Sequence, residues 1–494
     1  MNRTEHFPAD GRGTAAAPAP APAEISPSEM EASCRMPLLA LFGGAALALV
    51  AGLALAVTAS LTFHAPQLFA DHPWLTYGRA QAAANDLLLY GFCIPAGLGV
   101  MLWIFVRLSG AELYLWLAAF IGANLWHLGV LVGTLAVLIG DSTGFAWLEF
   151  PRGGSVLLWA AFWLIAVSAA ATFGARKNRE LYPSHWFLLA ALFWFPWIDA
   201  TANLFLITPH PVRGVAQAVI DWWFANNLVF VWLALVGLGA AFYFLPKLSG
   251  RPLHSHFLAL FACWTLMLFG AGCGIPQGAP VPAWMPAASA VAAVLLMVPL
   301  AAVAVITWKT VRGSTAICKG GPLSYIKLGT ALFLLSGLML VAEACPQISR
   351  VVEFTWFGPA QTQLQILGFF VIVMCGAIYE LLPRVTGVEW PFPKFIRLQY
   401  WLFLCGVALT VLPLAAGGVE QGWKLRNAAT PFADSVAAAL PFLRAETVGL
   451  LLVLIGALLF AANIFAMTLR WKLALLKSAL AAVKTPLQTA EVES

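Results

Sequence analysis

Charge is scarce in this chain. Only 10% of its 494 residues are Asp, Glu, Lys or Arg, against 61% hydrophobic, a balance that excludes a soluble protein. Histidine is scarcer where it would matter most. Of eight histidines, only His127 lies well inside an apolar run; the others lie in the leader, in loops or at the ends of runs. Eight cysteines form no CxxC pair and no CxxCH haem-attachment motif, which excludes covalently attached c-type haem. They read as small apolar residues within or beside the runs. There is no Gly-rich phosphate loop, no Ser-His-Asp set and no HExxH. The pair in LHSH, His254 and His256, is spaced i, i+2, which puts the two imidazoles on different helix faces.

What is present is a succession of long apolar runs. Where no water reaches the backbone, every amide must be paired within its own segment, so such runs are transmembrane helices. Twelve are expected, near 37–61, 84–107, 112–139, 155–174, 184–207, 218–246, 254–273, 283–308, 322–344, 361–383, 395–416 and 446–469. The fold class is therefore an all-α polytopic membrane protein, a bundle of twelve transmembrane helices.

Twelve spans put both termini on one side of the membrane, and the basic residues say which. Arg79, Arg152, Arg213, Arg350, Lys424, Arg426 and Arg444 fall in the loops opposite the termini. The remaining 20 of the 27 Lys and Arg fall on the terminal side. The positive-inside rule makes that side cytoplasmic. A bacterial inner membrane is the expected location, and the net charge of +5 reflects topology; no nucleic-acid partner is implied. Residues 1–36 form an Ala/Pro-rich leader expected to be disordered and cytoplasmic. Residues 37–470 hold the spans. The basic tail 471–494, with the amphipathic stretch RWKLALLK that begins at Arg470, is expected on the inner leaflet.

Polar residues inside a membrane are costly and often functional. Here they are few: Asp86, Asp199, Asp221, Glu343 and Glu380, with Asn226 beside Asn227, and Gln361, Gln363 and Gln365 at alternate positions. Each also has a plain structural reading. The carboxyls can sit at interfaces or cap helices, and the amides can bond across helices. A lone His127 is read the same way, as a hydrogen-bonded packing residue, with a ligand role as the alternative.

Span six, QAVIDWWFANNLVFVWLALVGLGAAFYFLPKLSGRP over 217–252, resembles the matching helix of haem–copper oxidase subunit I, in particular the cbb-type or C-family enzymes. LTYGR at 75–79, the stretch 126–152 ending in LEFPR, LYPSHWF at 181–187, GPLSYIK at 321–327, and 349–384 ending in YELLPR are similar to that family in the same order. The resemblance implies the twelve-helix fold. It also implies two haems and one copper held by six histidines on spans two, six, seven and ten.

Carried over position by position, the resemblance puts those six histidines on Ala84, Asn226, Gly274, Ile275, Gln361 and Gln363, and the tyrosine beside the copper on Leu268. None of these residues is an imidazole or a phenol. The expected reading is therefore a cofactor-less relative of the catalytic subunit, with no haem, copper or catalytic residue. It would be a structural or accessory member of a respiratory complex, beside c-type cytochrome subunits or another oxidase subunit. Two alternatives remain open: a membrane protein conducting protons or a small solute, with Asp199 and Glu343 as candidates, or a terminal oxidase or nitric oxide reductase with unconventional ligands. Part of the volume of the 21 Trp and 34 Phe, among them Trp194, Trp197, Trp222, Trp223 and Trp356, is expected to fill the space that two haems would leave, while most of these residues read as ordinary membrane-interface anchors.

Overall fold

The computed structural model describes residues 26–177, 180–313 and 321–492, with side chains described for Ser26 and for 28–480. Among these residues eleven helices are long and apolar enough to cross a membrane, and a shorter apolar helix stands at the seventh expected position. In order they are α1 (Pro27–Thr62), α2 (Tyr77–Ser109), α3 (Trp116–Ile139), α4 (Arg152–Gly174), α5 (Pro183–Ile207), α6 (Val215–Ser249), α7 (His256–Gly270), α8 (Trp284–Val311), α9 (Pro322–Ala344), α10 (Phe357–Thr386), α11 (Pro393–Arg426) and α12 (Phe432–Val492). The span count differs by one because α7 has only 15 residues. It rises about 22 Å, short of the ~30 Å hydrocarbon core.

Part of the leader also differs from expectation. Residues 1–25 lie outside the described residues, but 27–36 are helical. Ser26 caps α1: its side chain accepts from the Glu29 amide, the Glu29 carboxylate accepts from the Ser26 amide at 2.9 Å, and Pro27 takes the first helical position. Glu31 then pairs with Arg107 at 3.4 Å, and Arg35 Nε donates to the Val385 carbonyl at 2.7 Å. These bonds tie the start of α1 to α2 and α10, giving the Ala/Pro-rich segment's last ten residues a reason to order. The tail continues α12 without a break, and residues 472–480 are exposed as the helix leaves the bundle.

Three helices form the inside of the bundle. The most apolar 18-residue windows of α2, α6 and α10 are 100%, 100% and 89% buried, against 39–50% for the other long helices. All three inner helices widen into a π-helical stretch, Leu87–Cys93, Asn227–Trp232 and Leu364–Val371; a fourth, Asn203–Ile207, ends α5. A π turn strips a carbonyl of its usual donor, and a bundle interior must replace it. In α2 the Ile94 amide reaches back to Leu89, and Pro95 has no N–H, so the Tyr90 carbonyl has neither donor. Trp126 Nε1 supplies one from α3 at 2.7 Å.

Candidate functional site

The positions assigned to metal ligands lie on or beside the inner helices. Asn226 and Gly274 meet: a Cβ at 274 would lie 2.4 Å from the Asn226 Cβ, and Gly274 has a φ of +101°, which favours glycine. Asn226 Nδ2 donates to the Gly270 carbonyl at 2.9 Å, tying α6 to the end of α7. Its neighbour Asn227 donates to the carbonyls of Trp223 (2.9 Å) and Ala271 (3.3 Å) and accepts from Trp194 Nε1 at 3.1 Å. The Ile275 amide is held by Ser289 Oγ at 3.1 Å. On α10, Gln361 Nε2 donates to Ser336 Oγ of α9 at 3.1 Å, and Gln365 Nε2 to the Phe230 carbonyl of α6 at 3.4 Å. Gln363 is half-buried, and Ala84 is wholly buried.

Leu268 does not join them. It is 71% exposed and points out of the bundle, because it precedes Gly270, which faces Asn226, by about 200° of helix rotation. The position assigned to the copper-side tyrosine is thus not at the site.

As a ligand set these residues do not fit iron or copper. A methyl, a hydrogen and a sec-butyl group offer no lone pair, and the amides of Asn226, Gln361 and Gln363 offer an oxygen where haem iron and copper take imidazole. The Nδ2 of Asn226 and the Nε2 of Gln361 are committed to hydrogen bonds between helices. Among the described residues no three His, Cys, Asp or Glu side chains gather as a metal site. The His127 imidazole lies on Gly44 of α1, where a Cβ would come within 2.3 Å of its Nε2.

Aromatic rings fill the interior between these positions. Phe162 of α4 stacks on Phe195 of α5 at 4.7 Å between centroids, Phe195 meets Trp232 of α6 at 5.8 Å, and Trp232 meets Phe370 of α10 at 6.4 Å. The file continues through Phe369 to Phe333 of α9 (4.8 Å) and back to Phe230 of α6 (6.0 Å). Glycines admit it. A Cβ on Gly237 would stand 2.3 Å from the Phe369 ring, and one on Gly97 would stand 3.1 Å from Phe370. Of the tryptophans expected to fill space, Trp194, Trp197 and Trp223 form a separate, only partly buried cluster that touches the site through the Trp194 bond to Asn227. Phenylalanine is the more abundant ring along the chain, and the packed rings are mostly phenylalanines, with Phe230, Phe369 and Phe370 in π-helical stretches.

Carboxyls collect at the bundle end opposite the termini. Asp86 and Glu149 present carboxyl to carboxyl, a contact that becomes a hydrogen bond only when one of them carries a proton; no other partner reaches either Asp86 oxygen. Burial, opposed by the bonds from Asp86 and the local backbone, pushes Glu149 up from the usual carboxylate range to about 7. Tyr90 stands beside the pair and donates to the Trp147 carbonyl at 2.7 Å. Asp199 lines a small cavity with Tyr90 and Ser155, and Asp221 is near enough to act on Glu149. None of these carboxyls is ion-paired among the described residues. Glu149 does not stand out in the sequence because it sits in a loop; LEFPR is the one signal there.

Glu343 and Glu353 line a second cavity of ≈160 Å³ with Gly274, Ile275 and Gln277. Glu353, after the short helix Pro346–Val352, is likewise raised by burial. Glu380, in contrast, pairs with Arg384 one turn on, the plain structural role.

The fold and the ordered motifs define the class, a polytopic subunit of the oxidase type. Residues 37–452 match the family described as "Cytochrome C and Quinol oxidase polypeptide I", and the chain belongs to that family. It is a cytochrome c oxidase subunit I-like membrane protein of the haem–copper oxidase superfamily. It is 24% identical over 417 residues to the Cbb3-type cytochrome c oxidase subunit CcoN1 of Stutzerimonas stutzeri, covering 81% of this chain and 87% of that one. It is 22% identical over 453 residues to a cytochrome c oxidase subunit 1 homolog of Azorhizobium caulinodans, covering 87% and 80%. A solved haem–copper terminal oxidase dimer shares the fold with a TM-score of 0.71, covering 88% of this chain and 84% of that one at 16% identity.

Proposed function

We propose that this chain is a cofactor-less structural or accessory paralogue of the oxidase catalytic subunit, working within a respiratory complex of a bacterial inner membrane. The reading is carried by the ligand positions. All six, Ala84, Asn226, Gly274, Ile275, Gln361 and Gln363, lack an imidazole. Function resides in the site and not in the fold. What such a subunit keeps is a rigid membrane body on which c-type cytochrome subunits or another oxidase subunit can assemble.

The uncompensated carboxyls support a second reading, proton handling by Asp86, Glu149, Asp199 and Asp221 beside Tyr90. Buried carboxyls without a cation hold or pass protons more readily than they hold charge.

The test of the main reading is metal content. The full chain, purified in mild detergent with any partners it retains, is expected to carry no haem or copper of its own. A Soret band with stoichiometric iron in the isolated chain would overturn the proposal and favour a catalytic subunit with unconventional ligands, His127 first among them.

A further inference from the structure

Between α4 and α5, at the bundle end opposite the termini, the two consecutive helices part around a groove of ≈660 Å³. That volume lies within the ~300–1,000 Å³ typical of sites for small amphipathic ligands. Its walls are almost wholly apolar and face outward: Val156 and Leu204 are 66% and 61% exposed, with Trp159 beside them. Its mouth is polar, formed by Arg152 at the first turn of α4 and by Thr208 just beyond α5.

Arg152 is held in place by the π-helical end of α5, its Nε and Nη2 both donating to the Ile207 carbonyl. A guanidinium has five N–H groups, so three remain for an anion. Arg152 is one of seven basic residues assigned to the loops on this side. A second, Arg213, is exposed in the loop that leaves the groove at Pro209.

We propose that the groove between α4 and α5 is a binding site for an anionic phospholipid, with an acyl chain along Val156, Trp159, Ala160 and Leu204 and the phosphate on Arg152. The cation at the mouth of an apolar slot open to the bilayer selects the occupant: an acyl chain alone would leave Arg152 unanswered. A helix from a partner subunit would bring no phosphate to it.

The test titrates the delipidated full-length protein with dioleoylphosphatidylglycerol and, separately, dioleoylphosphatidylcholine, counting bound lipids by native mass spectrometry. The two lipids share tails and differ in net charge. Wild type is expected to bind the first phosphatidylglycerol about five-fold more tightly than phosphatidylcholine, the scale of one basic residue at a membrane surface. Arg152→Gln should erase that preference, and Arg152→Lys should keep most of it. Ala160→Trp, at an exposed position, should weaken both lipids by filling the slot. Equal binding of both lipids by wild type, or a preference that survives Arg152→Gln, would overturn the proposal. If Arg152→Gln unfolds, Ala160→Trp decides: unchanged binding there removes the groove as the site.

Discussion

At the scale of single residues, helix contact depends on where a side chain is missing. Gly44 receives the His127 ring, while its neighbour Gly43 has open space, with nothing within 4 Å of where a Cβ would stand. Gly44→Ala is therefore expected to destabilise the protein by about 1–3 kcal/mol, the usual cost of overpacking, and Gly43→Ala to change little. Thermal unfolding in detergent measures both. Pairing Gly44→Ala with His127→Ala should recover much of the loss, because the two side chains compete for one volume; simple additivity would show that the ring is not seated on Gly44. Gly274 makes the same point for the family site. An imidazole there would need a Cβ 2.4 Å from that of Asn226, on a backbone at a φ of +101°.

At the scale of elements, the π-helical stretches and the loop between α3 and α4 work together. The shift in α2 frees the Tyr90 carbonyl for Trp126, while the Tyr90 hydroxyl holds the loop at Trp147. That hold carries Glu149 into the buried cluster against Asp86. A carboxyl raised to about 7 in the folded state titrates near 4.5 once unfolded. Between those values the folded protein binds the extra proton, so Glu149's contribution to stability is full below about 4.5, falls as pH rises, and levels off above about 7. Melting temperatures measured from pH 5 to pH 8 should therefore fall with rising pH, and the fall should shrink in Glu149→Gln. Parallel pH profiles for the two proteins would show that Glu149 keeps an ordinary affinity for protons.

The site is legible in the sequence in part, and along this same line. Asn226, Gln361 and the carboxyls stand out because polar residues in apolar runs are few. Their partners, Gly270, Ser336 and Glu149, lie 25 to 63 positions away or in a loop, and no periodicity encodes them. Leu268 illustrates the error that remains: a position carried over by likeness alone falls on the wrong side of α7.

At the scale of the whole molecule, an even number of crossings and the unequal distribution of Lys and Arg predict both termini in the cytoplasm. A phosphatase fused after Ser494 should be inactive, and a reporter that needs the cytoplasm should be active there. An active phosphatase fusion would reverse the topology. The short α7 is compatible with this count because it begins beside the end of α8, where the His254 amide donates to Thr310 Oγ1, and ends at Gly270 beside Asn226 in the first half of α6.

The chain's own order of residues determined that it is a helical protein crossing the membrane many times, and which family it belongs to. Both follow from local composition or from motifs in series, which can be read along a line. Only the tertiary structure decided that α2, α6 and α10 are the inner helices, that phenylalanines and Trp232 fill the space among them, and that Asp86 meets Glu149. The physical reason is that apolarity in a bilayer does not separate a core-facing helix from a lipid-facing one. All twelve segments are apolar, and burial inside the bundle is settled by which neighbours surround a helix rather than by its own sequence.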